Sequence, residues 1–84
     1  MGYEYKSDNF VFDKSDNDKR IRIFDKNKKL IYSIDPNISY FYLSNSCIII
    51  KIVNKNDIIL SFESKNDATI AMNKLVKIKE EFRL

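Results

Sequence analysis

Between residues 20 and 63 the apolar residues of this chain fall into short runs, and after residue 64 their spacing changes. The runs at 20–24, 29–34, 38–43, 47–53 and 58–63 are rich in Ile, Val, Tyr and Phe. Such side chains suit a pleated, half-buried surface. The breaks between them, DKNK at 25–28, DPN at 35–37, SNS at 44–46 and NKND at 54–57, have turn compositions without glycine. Asn27, Asn45, Asn54 and Asn56 are candidates for left-handed backbone, and Pro36 presets a turn. Connections this short join antiparallel neighbours, because a parallel crossover needs about a dozen residues or more. Segments 3–6 and 10–13 are weaker strand candidates.

From Ser64 onward the period is helical. Ala68, Ala71, Met72, Leu75, Ile78 and Phe82 recur on one face. Ser64 with Asp67 three residues on forms an N-terminal cap. The spacing predicts a helix over 65–83, with Lys79 near the middle of the stripe and Ile70 pointing away from it. The expected fold is α+β: an antiparallel β-meander of five to seven strands with one C-terminal amphipathic helix packed on one face. A single domain spans 1–84, with an N-terminal arm or weak strands over 1–18, the meander over 19–63 and the helix over 64–84.

Strand alternation sorts the side chains into two faces. One parity holds Phe10, Phe12, Ile21, Ile23, Leu30, Tyr32, Ile34, Ile38, Tyr40, Tyr42, Ile48, Ile50, Ile52, Ile58, Leu60 and Phe62, and is expected to face the helix. The other carries Arg20, Arg22, Ser33, Ser39, Lys51 and Ser61, but also Val11, Phe24, Ile31, Phe41, Leu43, Ile49, Val53 and Ile59. Eight large apolar residues are more than a small monomer exposes in one patch. Three explanations are open. The sheet curls or the N-terminal segment folds across it, another protein chain covers the face, or the register shifts at a bulge.

The chain offers little catalytic chemistry. It has no His, one Cys and one Gly in 84 residues. It therefore lacks the usual proton shuttle, an internal disulfide and a glycine-rich phosphate loop. Cys47 reads as a small apolar residue at a strand start. Asp13, Asp16 and Asp18 lack the glycine and distal glutamate of a calcium loop and read as a solvated turn. No catalytic, cofactor-binding or metal-ligating residue is assigned, and the sequence argues against an enzyme.

Charge is uneven: residues 1–18 sum to −3 and residues 19–29 to +5, within a total of +3. The basic segment places Lys19, Arg20, Arg22, Lys26, Lys28 and Lys29 around Phe24. Basic groups beside an aromatic ring suit single-stranded nucleic acid, and a charged edge strand that resists aggregation gives the same pattern. The polar N-terminus has no signal-peptide pattern, and no apolar run approaches the ~20 residues that span a bilayer.

Ile, Lys and Asn supply 34 of the 84 residues, a bias toward AT-rich codons. The second half, with "NISY" at 37–40, a hairpin, and "IILSFES" at 58–64 leading into a helix with spaced alanines, resembles small accessory and structural proteins of tailed phages with AT-rich genomes. The strand series with its C-terminal helix also resembles a pleckstrin-homology-like arrangement. The phage resemblance implies a non-catalytic virion subunit, in the virion or the host cytoplasm, and carries over no functional residues.

The functional expectation is a structural or protein-binding module that self-associates or joins a larger assembly through its outer sheet face. Phe24, Ile31, Phe41, Leu43, Ile49 and Ile59 form the apolar contact, with Arg20, Arg22 and Lys51 at its rim. The alternatives are a small nucleic-acid-binding protein using 19–29 and a phage or mobile-element inhibitor of a host protein.

Overall fold

Pro36 divides the strands into two sheets. The computed structural model describes residues 4–6, 9–15, 17 and 19–82, with side chains from residue 9 onward. The first sheet has the order β1 (Glu4–Lys6), β2 (Phe10–Ser15), β3 (Arg20–Asp25), β4 (Leu30–Ile34). The second has the order β5 (Ser39–Ser44), β6 (Cys47–Ile52), β7 (Ile58–Ser61). Every pairing is antiparallel. Helix α1 (Lys65–Glu81) follows. The fold is thus α+β with antiparallel strands and a C-terminal helix, but the single meander is corrected to two sheets. The break has a local cause. The Asp35 carboxylate accepts from the Asn37 N–H at 2.9 Å, and the buried Pro36 opens a short 3₁₀ turn, Pro36–Ile38. Proline has no N–H to offer a ladder, so the chain leaves the first sheet there.

The inner faces of both sheets and the helix stripe meet in one core. Phe12, Ile21, Ile23 and Ile34 come from the first sheet, Ile48, Ile50 and Leu60 from the second, Phe62 from just beyond β7, and Ala68, Ala71, Leu75 and Ile78 from α1. Burying Leu75 and Ile78 stabilises by about 1.5–3 kcal/mol each. The helix packs against β5, β6 and β2, so it closes a sandwich rather than lying on one face of a single sheet. The Ser64 hydroxyl caps it, accepting from the Asp67 N–H at 3.1 Å. Phe10 meets Phe62 edge-on at 5.3 Å, and Asn9 donates to the Ser61 carbonyl at 3.4 Å, which closes the side where β2 approaches β7.

Two strands depart from the expected alternation. The register shifts between Ile23 and Phe24, so that Tyr32 faces Ile23 while Leu30 faces Phe24, leaving Ile31 as the extra residue of a bulge. On β5 the parity is inverted. The chain re-enters from the 3₁₀ turn with Ser39 inward, which puts Phe41 opposite Ile50 and against the core, and turns Tyr40 and Tyr42 out. Leu30, Tyr32, Ile38, Tyr40 and Tyr42, all expected to face the helix, are exposed.

Asn45 and Asn54 take positive φ, 53° and 63°, as their turn positions demand. At the β3–β4 turn the positive φ falls on Lys28 (67°) rather than Asn27. There the Asp25 carboxylate accepts from the Asn27 and Lys29 N–H groups at 2.8 and 3.0 Å. Tyr3, Asp16, Asp18, Arg83 and Leu84 lie outside the described residues.

Candidate protein interface on the second sheet

Residues paired directly across antiparallel strands share a face, so the register assembles the outer surface of the second sheet. Tyr42 faces Ile49 and Ile49 faces Ile59, one apolar row running across all three strands. Ile59 is 61% exposed and Tyr42 49%, with Ile49 half-buried between them. Beside this row Tyr40, 54% exposed, faces Lys51, whose ammonium lies 3.5 Å from the Asp57 carboxylate. On the other side lie Ser44, Cys47 and Ser61, with the Cys47 sulfur 3.7 Å from the Ser61 hydroxyl. The β-branched residues and tyrosines that make these strands therefore also leave an apolar stripe in water.

The expected interface residues do not form one surface, because they belong to two sheets. Ile49, Ile59 and Lys51 share the outer face of the second sheet. Phe24, Arg20 and Arg22 lie on the outer face of the first, on the far side of the common core, and Ile31 sits at the bulge of β4. Phe41 packs on the core and Leu43 shares its parity at the β5 edge, so neither belongs to the outer face. Tyr40 and Tyr42 take their place. The signal that finds them is the sequence Tyr40-Phe41-Tyr42: the tyrosine hydroxyl is satisfied by water at an exposed position, whereas the phenylalanine ring has no polar end and favours the buried side.

The two arginines of the basic segment are engaged within the chain. Arg22 grips Asp13 through two hydrogen bonds of 2.7 Å, and its guanidinium stands 5.5 Å from the Phe24 ring. Arg20 donates to the Ser33 hydroxyl at 2.8 Å and the Ser33 carbonyl at 2.7 Å. Lys19, Lys26, Lys28 and Lys29 are exposed in the turns flanking β3. The arginines thus pair with neighbours on their own sheet, and the one aromatic ring of the segment is covered by one of them.

A second feature lies at the edge of the same sheet. Between β5 and α1 runs an open groove of about 280 Å³ lined by Tyr40, Phe41, Tyr42, Val76, Lys79 and Glu80. A smaller hollow of about 160 Å³ continues it past Tyr40 and Lys79 to Pro36 and Asn37. Lys79, placed by the helical spacing near the middle of the stripe, reaches over this furrow. Its ammonium donates to the Ser39 carbonyl and stands 5.0 Å from the Tyr40 ring and 5.5 Å from the Phe41 ring. The Ser39 hydroxyl beneath is fully buried and has no hydrogen-bond partner among the described residues.

Among the described residues, no helix is long and apolar enough to cross a membrane. No protein-family model, curated protein or solved structure matches the chain at a significant level.

Proposed function

We propose that the chain is a non-catalytic protein-binding module, a subunit that associates with copies of itself through the outer face of its second sheet. The observation that carries this reading is the row Tyr42–Ile49–Ile59, apolar across the full width of the sheet and flanked by Tyr40 and Lys51. Contiguous exposed apolar surface rimmed by polar groups marks an association site, and aromatic residues are enriched in such contacts. Association removes that surface from water at about 25 cal/mol per Å², less the cost of ordering two molecules. Phe24, Ile31, Phe41 and Leu43 drop out of the contact, as do Arg20 and Arg22 from its rim, and Tyr40 and Tyr42 join it.

An accessory subunit of a phage virion is the setting that the sequence resemblance suggests. The order of four strands, three strands and a helix also supports the pleckstrin-homology-like arrangement. A host-protein inhibitor would use the same outer face. The nucleic-acid reading is weaker, since Arg20 and Arg22 are engaged by Ser33 and Asp13. Sedimentation equilibrium over a range of concentrations tests the proposal. The wild-type chain associates and Ile59→Asp is a folded monomer. A wild-type chain that stays monomeric at its highest soluble concentration overturns self-association.

A further inference from the structure

The β5 edge offers a pattern of hydrogen-bonding groups that follows from its register. A two-residue loop, Asn45 and Ser46, joins β5 to β6, and Ser44 faces Cys47 across it. At the other end Val53 donates to the Ile38 carbonyl at 3.0 Å. Hydrogen-bonded pairs alternate along an antiparallel ladder, so Ile38, Tyr40, Tyr42 and Ser44 turn their main-chain groups toward β6. Ser39, Phe41 and Leu43 turn theirs outward, over the groove.

The position of Lys79 agrees with this register, since the carbonyl it caps is that of Ser39, the first of the three outward residues. Phe41 and Leu43 remain, each presenting an N–H and a C=O at strand spacing. Edges are normally shielded, and each of the other edges among the described residues carries at least one such feature. β1 has three residues. β4 is bulged, and Arg20 holds its Ser33 carbonyl. The last carbonyl of β7 receives Asn9. β5 is six residues long and regular.

We propose that the groove between β5 and α1 binds an extended segment of a partner protein, which pairs with Phe41 and Leu43 as a fourth strand of the second sheet. Alternating donors and acceptors at this spacing are matched by another extended main chain. Phe41 and Val76 supply apolar walls, and Lys79 sets positive charge where the segment passes Ser39. The segment therefore carries alternating apolar residues and an acidic residue at the Lys79 end. The groove shares Tyr40 and Tyr42 with the outer-face row, but Ile49 and Ile59 do not line it, so the two surfaces are separable by mutation at Ile59.

The test is selection from a random peptide library displayed on yeast, followed by amide hydrogen exchange on the complete chain. In the free protein the Phe41 and Leu43 amides exchange fast while that of Tyr42, bonded toward Ile49, is slow. A selected peptide protects Phe41 and Leu43. Leu43→Pro removes an outward N–H, which an edge strand tolerates, and weakens binding by about tenfold. Lys79→Glu disfavours acidic peptides, and Ile59→Asp leaves binding unchanged. Exchange on the native chain decides the matter even if the proline variant does not fold. The proposal is overturned if no peptide is enriched, or if bound peptides leave both amides unprotected. It is equally overturned if the two amides become protected with rising protein concentration alone, which makes a second copy the occupant.

Discussion

Lys79, near the end of α1, donates its ammonium to the main-chain carbonyl of Ser39, forty positions earlier in the chain. That bond ties the helix to the start of the second sheet, at the point where Pro36 has just separated the two sheets. Lys79→Met keeps most of the aliphatic stem and removes the charge. It loses a charge-assisted hydrogen bond and the contacts with the Tyr40 and Phe41 rings. The expected loss of stability is about 1–2 kcal/mol, measured by urea denaturation. An unchanged midpoint contradicts the role given to this bond.

Ser39 makes a second prediction of opposite sign. Its buried hydroxyl has no partner among the described residues, and such a group carries its full desolvation cost. Ser39→Ala removes the hydroxyl and keeps the carbonyl that Lys79 needs. Stability is expected to rise by about 1 kcal/mol. A loss of that size shows instead that the hydroxyl is bonded in solution.

On the first sheet Asp13 and Arg22 face one another across β2 and β3 with two 2.7 Å bonds. The Arg22 side chain is 40% exposed, so solvent screens much of the attraction. A double-mutant cycle with Asp13→Ala and Arg22→Ala is expected to give a coupling of about 0.5–1 kcal/mol. It falls as salt shortens the Debye length. A coupling near zero at low salt removes the pair from any account of stability, and restores Arg22 as a candidate for outside contacts.

Lys28 holds a φ of 67° in the β3–β4 turn, a conformation that costs a residue with a Cβ about 1 kcal/mol. Lys28→Gly relieves that cost and adds flexibility to the unfolded chain. The net gain expected is about 0.5 kcal/mol, read as a higher thermal midpoint. A lower midpoint means that the Lys28 side chain contributes more than its backbone costs.

Most of this fold is legible in the sequence because strand and helix periods depend on near neighbours. The seven strands, the Ser64 cap and the helix stripe all follow from local pattern. The split into two sheets does not, since alternation says which residues share a face within a strand but not whether that face continues into the next one. Pro36 was readable as a turn; that the turn separates two hydrogen-bonded sheets depends on packing. The inversion on β5 has the same origin, because a short 3₁₀ turn resets parity without altering composition. The site suffered accordingly. Ile49, Ile59 and Lys51 lie together, whereas Phe41 packs against the core and Tyr40 and Tyr42 face out. Lys79 shows the reverse limit: the helical spacing places it near the middle of the stripe, but its acceptor lies forty residues away.

The central claim is that Ile59 belongs to an association surface while Phe41, on the opposite edge strand, packs against the core. Sedimentation equilibrium with circular dichroism on the wild type, Ile59→Asp and Phe41→Asp tests it most directly. The expected result is an associating wild type, a monomeric Ile59→Asp with an unchanged spectrum, and an unfolded Phe41→Asp. A folded Phe41→Asp, or an Ile59→Asp that associates as the wild type does, contradicts it.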